Sequence, residues 1–212
     1  MLQDIIEYFS THWIEYLQML GEHVGISLAS IFVAAAIAVP LGVACSKRVP
    51  LEKVSVGIAS MLRVVPSLAI LVICVPFLGT GALPAMVALT VLAIPPILIN
   101  TTLAFRSVSA DVLEAARGMG MSDRAMFFKV KVPLAFPLSF AGVRTAASEV
   151  VASATLAAYI GAGGLGEIIF TGIGLMRPDL LAIGGVSVAV LSIVVGMCLS
   201  AVDRRMHPYD FA

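Results

Sequence analysis

The stretch VGISLASIFVAAAIAVPLGVAC, residues 24–45, runs for 22 residues without a charged side chain. A helix must contain about 20 predominantly apolar residues to cross the hydrocarbon core of a bilayer. The whole chain has the same character, because 60% of its 212 residues are hydrophobic and only 12% are charged. A soluble domain usually carries about 25% charged residues. We therefore predict that residues 24–45 span a membrane.

Four further apolar runs of similar length follow the first. They cover residues 56–78, 83–105, 138–160 and 180–202. Together the five runs predict an all-α integral membrane protein with about five transmembrane helices. Prolines lie in or near these runs, at Pro40, Pro66, Pro76, Pro95 and Pro96. They indicate either broken helices, which a membrane protein tolerates along a transport pathway, or simple kinks for packing.

The basic residues are distributed unevenly around the five runs. If the N-terminus lies outside, ten of the 13 lysines and arginines fall in inside segments, and only Arg177 falls in an outside segment. Arg63 and Arg144 lie within the apolar runs. Positively charged loops stay on the cytoplasmic side of a membrane, so we predict the N-terminus outside and the C-terminus inside.

The N-terminal segment has helical periodicity but no lysine or arginine, unlike the basic start of a signal peptide. The apolar residues at helical spacing are Ile5, Phe9, Trp13, Tyr16, Leu17 and Leu20. We predict an extracytoplasmic amphipathic helix over residues 1–20 that lies in the interface, with Trp13 and Tyr16 at headgroup depth. Packing along another span is the alternative.

Composition also bears on the class of site. The 13 basic and 13 acidic residues balance, so nothing indicates a nucleic-acid partner. Cys45, Cys74 and Cys198 lie far apart, and the three histidines are isolated, so neither a zinc site nor a disulfide framework is indicated. We predict no metal site and no catalytic residue on this chain.

The stretch YIGAGGLGEIIF, residues 159–170, spells the G-x-G-x-x-G fingerprint of a dinucleotide site, and Asp179 follows it. A dinucleotide site needs a short buried strand before the glycines, in a soluble βαβ unit. The run before these glycines is long enough to cross a membrane instead, so we predict no cofactor. The glycines are expected to form an outer turn where a span ends, or to let helices approach closely. They are Gly161, Gly163, Gly164 and Gly166.

The longest inside segment, about residues 106–137, contains helix start and stop signals. Asp111 is a candidate cap for a first helix, and Gly120 suits a left-handed stop. Ser122 is a candidate cap for a second short helix, ended by Pro133. The apolar residues Met126, Phe127 and Phe128 are expected to be exposed there as a docking surface. Alternatively, they fold back against the chain's own spans.

This segment, EAARGMGMSDRAMFFKVKVP, resembles the EAA loop of importer-type ABC permeases. The pattern of that loop is E-A-A, three residues, G, nine residues and I-x-L-P. The matching residues are Glu114, Ala115, Ala116, Gly120 and Pro133. Val130 and Val132 replace the isoleucine and leucine and keep the apolar character.

The resemblance covers residues 21–205, which it identifies as the transmembrane domain of a type I ABC importer permease, with residues 206–212 as a cytoplasmic tail. The stretches VPSLAILV, PPILINTT and GVRTAASEVVASATLAAYIGAGGLGEIIF are similar to the osmoprotectant branch, the permeases for glycine betaine, carnitine and choline. Members of that branch usually have an arginine before Asn100, where Ile99 stands here. The resemblance therefore predicts the class of cargo rather than one compound.

The resemblance also implies partners and a bacterial cell-membrane location. The loop would sit in a cleft of a cytoplasmic ATPase subunit, with Gly120 setting its angle and Glu114 anchoring it through a hydrogen bond or ion pair, unless that carboxylate is simply solvated. ATP is expected on the ATPase, since this chain has no G-x-x-x-x-G-K-[ST] loop. Five spans are few to enclose a path, which suggests a second permease subunit, identical or related. An extracytoplasmic binding protein would contact the glycine turn and the segment around Arg177 and Asp179.

Polar side chains within the spans are candidates for the translocation path, because charge is costly at the bilayer centre. Arg63 and Arg144 are expected to snorkel toward the cytoplasmic face. Glu149 lies about 140° around the helix from Arg144 and is not its intrahelical partner. Glu149 is therefore expected to face the bundle interior, a cavity or another subunit. Residues that share this route are Asn100, Thr101, Ser148 and Ser153.

Two other functions remain open from the residues alone. One is an ion-coupled transporter or channel that uses Glu149 and Arg144, although such a protein needs no docking loop. The other is a membrane oxidoreductase that uses the glycine fingerprint. Aromatic residues are scarce in the spans, so we expect no tight cage for a quaternary ammonium there. Cargo recognition is expected to reside in the binding protein.

Overall fold

The computed structural model describes residues 2–206, and the helices account for almost all of them. The helices are α1 (Leu2–Thr11), α2 (Trp13–Cys45), α3 (Val49–Leu62), α4 (Ser67–Leu78), α5 (Ala82–Ser107), α6 (Ala110–Gly118), α7 (Asp123–Met126), α8 (Val132–Ala157), α9 (Gly166–Gly174) and α10 (Pro178–Met206). A π-helical turn joins α7 to α8, and a 3-10 turn follows α8. The predicted all-α class is confirmed.

Four helical segments in residues 2–206 are long and apolar enough to cross a membrane. They are Trp13–Cys45, Ala82–Ser107, Asp123–Ile160 and Pro178–Arg205. The first begins well before residue 24, where the predicted span starts. Glutamates near its start lower the local hydropathy without interrupting the backbone hydrogen bonds, so the helix extends beyond its apolar part.

The second predicted span, residues 56–78, is not one helix. It consists of α3 and α4, which are bent by 93° relative to each other. The break lies just before Pro66, whose ring disfavours the helical conformation in the preceding residue and whose nitrogen has no hydrogen to donate. If the bent pair counts as one span, the described part of the chain has the five spans that the sequence predicts.

The core forms where α5 packs between α2 and α8. Small side chains dominate the contact, and Ala34, Ala93 and Ala146 are fully buried there. A Cβ atom on Gly142 of α8 would lie 2.8 Å from the carbonyl oxygen of Pro96 on α5. Small residues let the backbones of membrane helices come close, which strengthens their van der Waals packing.

The N-terminal residues pack on the far end of the chain. The predicted helix over residues 1–20 is divided at His12, and residues 13–20 form the start of α2. Side chains of both parts pack against a buried cluster from α9, α10 and the preceding turn. The cluster is Leu165, Ile168, Leu180 and Ile183, and the residues packed on it include Ile5, Tyr8, Phe9, Tyr16 and Leu20. One side of this segment therefore packs on the chain itself, and its position in the membrane interface stays a prediction.

Residues 207–212 of the predicted tail, and His207 with them, lie outside the described residues.

Candidate functional site

The segment between α5 and α8 folds as two short helices at an angle, and we call residues 109–131 the elbow. Ser109 caps α6, since its hydroxyl accepts a hydrogen bond from the N–H of Asp111 at 3.2 Å. Asp111, the predicted cap, lies instead in the first turn, where an acidic residue is favoured by the helix dipole. Serine and aspartate are both good caps, so their order alone does not show which one leaves the helix.

A Schellman motif ends α6. The N–H of Gly120 donates to the carbonyl of Arg117 at 2.9 Å, and the N–H of Met121 donates to the carbonyl of Ala116 at 3.2 Å. Gly120 has φ of +78°, in the left-handed region. The predicted stop at Gly120 is confirmed. Its conformation determines the angle between the two helices of the elbow.

The second helix of the elbow continues into the membrane. Ser122 caps it by accepting a hydrogen bond from the N–H of Ala125 at 3.3 Å, as predicted. The predicted end at Pro133 is wrong, because the π-helical turn Phe127–Lys131 leads directly into α8. Pro133 follows the π-helical turn directly, and such a local change of hydrogen-bond register lets a membrane helix tolerate the missing N–H of a proline. The elbow and the membrane helix thus form one continuous segment, Asp123–Ile160.

The apolar surface of the elbow differs from the predicted one. Phe128 is 60% exposed, but Met126 is buried and Phe127 is half-buried. The ring of Phe127 stacks on Phe105 of α5, with centroids 5.9 Å apart. The alternative interpretation, folding back onto the chain's own spans, therefore holds for Met126 and Phe127. Met119, which the sequence analysis missed, is 74% exposed at the end of α6.

The E-A-A residues lie on α6. Ala116 is buried, whereas Glu114 and Ala115 are exposed. Within residues 2–206 the Glu114 side chain forms no hydrogen bond or ion pair, and its role as an anchor stays a prediction. Glu114 is a solvated carboxylate on this chain and remains accessible to a partner protein.

The charged residues within the spans form ion pairs between helices. Glu149 of α8 pairs with Arg63 at the α3–α4 break, with 2.9 Å between Oε1 and Nη2. Arg144 pairs with Asp203 of α10 at 3.4 Å. The prediction that Arg144 and Glu149 do not pair with each other is confirmed. The sequence does not predict either pair, because each joins residues far apart in the chain.

Glu149 lies where two cavities meet. One, about 800 Å³, lies between α8 and α10 and is lined by Arg144, Ser148, Glu149 and Ser200, among others. The other, about 430 Å³, is lined by Arg63, Pro66, Glu149 and Ser153, among others. Of the candidates for the translocation path, Ser148, Glu149 and Ser153 therefore lie around one polar region.

Asn100 and Thr101 lie apart from these two cavities. The Nδ2 of Asn100 donates to the carbonyl of Pro96 at 2.8 Å. A Cβ atom on Gly142 would lie 2.7 Å from the Cβ of Asn100, which places Asn100 in the contact between α5 and α8. Thr101 is fully buried. The structure brings neither residue to Glu149.

At the opposite end of the molecule from the elbow, residues 161–166 form what we call the glycine turn. Gly161, Gly163 and Gly164 have φ of +77°, +79° and +85°. The N–H of Gly164 donates to Oε2 of Glu22 at 3.1 Å. A Cβ on Gly166 would overlap the carbonyl oxygen of Thr155. The sharp turn expected from the sequence is present, and it is packed tightly against α2 and α8.

The glycine turn does not have the geometry of a dinucleotide site. It follows helix α8 and the 3-10 turn Ala158–Ile160, whereas the fingerprint requires a strand before the glycines. Asp179, the candidate ribose-binding residue, is buried and accepts hydrogen bonds from Arg177, one of them at 3.2 Å from Nε to Oδ1. The hydrogen bond to Asp179 raises the pKa of Arg177 above its ordinary value.

Comparisons with known proteins cover almost the whole chain. Residues 27–208 match the family described as "binding-protein-dependent transport system inner membrane component". The carnitine transport permease protein OpuCB of Listeria monocytogenes is 40% identical over 204 residues, which is 96% of this chain and 94% of that protein. The choline transport system permease protein OpuBB of Bacillus subtilis is 37% identical over 98% of this chain and 95% of its own length.

Solved structures show the same fold. A chain of the MetNI methionine ABC transporter in an inward-facing conformation has a TM-score of 0.80 and 23% identity, over 90% of this chain and 95% of that one. A chain of an amino acid ABC transporter has a TM-score of 0.76 and 14% identity, over 93% of this chain and 96% of that one. At these identities the likeness concerns the fold alone.

Proposed function

The chain belongs to the family of binding-protein-dependent transport system inner membrane components, and we propose that its cargo is a quaternary-ammonium osmoprotectant. It is a permease subunit of an ABC uptake system and a multi-pass protein of the bacterial cell membrane. Carnitine, choline and glycine betaine are the cargo named for relatives that are 36–40% identical over nearly the whole chain. That similarity is the observation that supports the choice of cargo.

The elbow is the surface through which a separate ATPase drives this permease. Its exposed groups include the apolar side chains of Met119 and Phe128 and the carboxylate of Glu114. Because the second helix of the elbow continues into α8, a displacement of the elbow is transmitted directly to a membrane helix. Hydrolysis of ATP belongs to that partner, and this chain has no catalytic role of its own.

A second permease subunit, identical or related, completes the translocation path. The side chains of Arg63 and Glu149 are 44% and 33% exposed in the single chain, beside open cavities. Inserting a charged side chain at the centre of a bilayer costs about 2.5–3.5 kcal/mol, so these groups are unsuited to lipid contact. A facing subunit encloses them together with Ser148 and Ser153, and the cargo passes between the two copies.

The elbow lies in the cytoplasm and the glycine turn on the outer side of the membrane. The excess of lysine and arginine in the segments on the elbow side supports this orientation. An extracytoplasmic binding protein docks at the other end, where the glycine turn and the paired Arg177 and Asp179 lie together with the N-terminal helix. That protein supplies most of the recognition of the cargo.

Reconstitution in liposomes tests this function. The chain is incorporated with its ATPase, and the binding protein is added outside with radiolabelled glycine betaine, carnitine or choline. We expect uptake of at least one of them that requires ATP on the elbow side. Uptake by the chain without ATPase or ATP would contradict the proposal and support an ion-coupled carrier. The family membership and the elbow do not favour that alternative.

A further inference from the structure

A further cavity lies near the glycine turn. It has a volume of about 260 Å³ and lies between α1, α2, α9 and the start of α10. That volume corresponds to roughly nine water molecules at about 30 Å³ each, enough for a small organic molecule. Its apolar lining includes Ile168 and Leu180, both buried in the cluster that holds the N-terminal helix.

Two aromatic rings line this cavity. Tyr8 of α1 and His12 are stacked, with ring centroids 5.1 Å apart and planes 14° apart. Tyr8 is half-buried, because it packs on the cluster around Leu165. The face of an aromatic ring attracts a cation, and quaternary ammonium groups are often bound in this way. The cavity therefore combines an apolar surface for methyl groups with a π-system for their charge.

Charged groups complete the lining. Glu15 of α2 and Glu167 of α9 contribute carboxylates, and neither side chain forms a hydrogen bond or ion pair within residues 2–206. Burial raises the pKa of the Tyr8 hydroxyl, and the negative charge of Glu15 adds to the effect. Arg177, held by Asp179, is the cation of the lining.

The cavity shares lining residues with two neighbouring recesses. A larger neighbouring cavity of about 640 Å³ shares Glu15, Met19 and Glu167 with it and extends to Gly161 and Gly163. On the other side, a recess of about 320 Å³ shares Tyr8, His12 and Arg177 and adds the carboxylates of Asp4 and Glu7. Carboxylates therefore line all three recesses between the N-terminal helix and the turn that ends α8.

We propose that this cavity is a transfer site where a quaternary ammonium cargo lies against Tyr8 and His12, balanced by Glu15 and Glu167. Arg177 is placed for the carboxylate of a zwitterionic cargo such as a betaine. The site rests on the function proposed above and adds a cargo contact to the permease itself. The expectation of no aromatic cage concerned the spans, whereas Tyr8 and His12 precede α2.

Equilibrium binding tests the site on the complete permease–ATPase complex in nanodiscs, without binding protein. The probes are radiolabelled choline and glycine betaine, with 3,3-dimethyl-1-butanol as the neutral isostere of choline. We expect saturable binding and at least tenfold weaker competition by the isostere, because the cation–π contact and the carboxylates need the charge. Competition by the isostere that equals that of unlabelled choline would overturn the proposal.

Variants identify the ring and the carboxylates. Tyr8→Leu should weaken binding about tenfold, whereas Tyr8→Phe keeps the ring and should retain affinity within about threefold. Glu15→Gln and Glu167→Gln should each weaken choline binding severalfold, since each removes one of the balancing charges. Tyr159→Leu is the matched control, an exposed tyrosine at the same end that does not line the cavity. Unchanged affinity in Tyr8→Leu would overturn the site.

Uptake by the full system separates this inference from the proposed function. Wild-type uptake of choline or glycine betaine together with no saturable binding to the complex would overturn the transfer site and leave the function standing. Absence of quaternary ammonium uptake by the wild-type system would overturn both. Uptake that Tyr8→Leu slows, while Tyr159→Leu does not, would support both.

Discussion

The elbow and the glycine turn both change the direction of the chain through glycines with positive φ, but their surroundings differ. A Cβ on Gly120 would meet nothing within 4 Å. In the glycine turn, a Cβ on Gly163 would overlap the carboxylate of Glu22, and one on Gly164 would lie 3.2 Å from His23. Gly120 is thus required only for its backbone conformation. The glycines of the glycine turn are required for their conformation and also because there is no room for a side chain.

The difference follows from what each turn contacts. The elbow is exposed, so a partner protein can cover it, and its side chains Met119 and Phe128 have few neighbours within the chain. The glycine turn is packed into its own subunit, where Glu22 accepts a backbone hydrogen bond from Gly164. Substitutions in the elbow should therefore affect coupling more than stability, and substitutions in the glycine turn should do the reverse.

Gly166→Ala should have the largest effect on stability. The added Cβ would overlap the carbonyl oxygen of Thr155 and approach the Cβ of Ala158 at 2.8 Å, so backbone must move. We expect a loss of about 3 kcal/mol of folding free energy. Thermal unfolding in detergent, followed by size-exclusion chromatography, measures it. Gly174→Ala is the control on the same helix, since its Cβ would meet nothing within 4 Å. Equal stability of the two variants would contradict the tight packing.

Gly120→Ala should have an intermediate effect on stability and a large one on coupling. A left-handed conformation costs a residue with a Cβ about 1–2 kcal/mol, and the elbow angle changes if the residue leaves it. We expect the variant to insert normally but to lose most of its ATPase on co-purification. Gly118→Ala, inside α6 and without neighbours within 4 Å, should keep the ATPase. Loss of the partner in both variants would show that the left-handed conformation is not what matters.

Phe127→Ala and Phe128→Ala compare neighbouring rings of the elbow. Removing the stack of Phe127 on Phe105 should cost about 1 kcal/mol of stability. Phe128 is 60% exposed, so its removal should change stability by less than about 0.5 kcal/mol yet weaken ATPase binding. Thermal unfolding and co-purification of each variant distinguish the two roles. Unchanged ATPase binding by Phe128→Ala would show that Phe128 is not part of the docking surface.

The smallest expected effect on stability concerns the Arg63–Glu149 pair, which lies between the two turns. Because both side chains are partly exposed, the pair should contribute less than about 1 kcal/mol. A double-mutant cycle with Arg63→Gln and Glu149→Gln in detergent measures its coupling energy. Glu114→Gln should be neutral in the same assay, since that side chain has no partner within residues 2–206. A coupling energy above about 2 kcal/mol would show that the pair is shielded from solvent.

Much of the fold follows from local patterns that the sequence displays. Long apolar runs predict spans because each helix must satisfy its backbone hydrogen bonds within itself. Gly120 and Ser122 were placed correctly because caps and left-handed stops depend on neighbouring residues. The errors occurred where a local signal was ambiguous or overridden. Ser109 rather than Asp111 is the cap, and a π-helical turn carries the helix through Pro133.

The candidate site was harder to predict than the spans. Ser148, Glu149 and Ser153 lie close together in the sequence, so the sequence alone predicts that they share one region of the structure. The sequence could not show that Asn100 lies apart from these three residues, because its position depends on the contact of α5 with α8. The exposure of Phe128 and the burial of Met126 depend on which side of the helix at residues 126–128 faces the chain's own spans. The cavity beside Tyr8 depends on packing of the N-terminus against α9 and α10.

The sequence by itself determined that this protein spans a membrane, since hydropathy is a property of short segments, and its E-A-A segment carries the resemblance to importer permeases. Only the tertiary structure decided that Glu149 pairs with Arg63 and that the chain bends between α3 and α4. It also decided that the surroundings of Gly166 are crowded and those of Gly120 are open. The physical reason is that ion pairs, cavities and steric overlap depend on distances between residues far apart in the chain. Helix propensity and hydropathy carry no information about those distances.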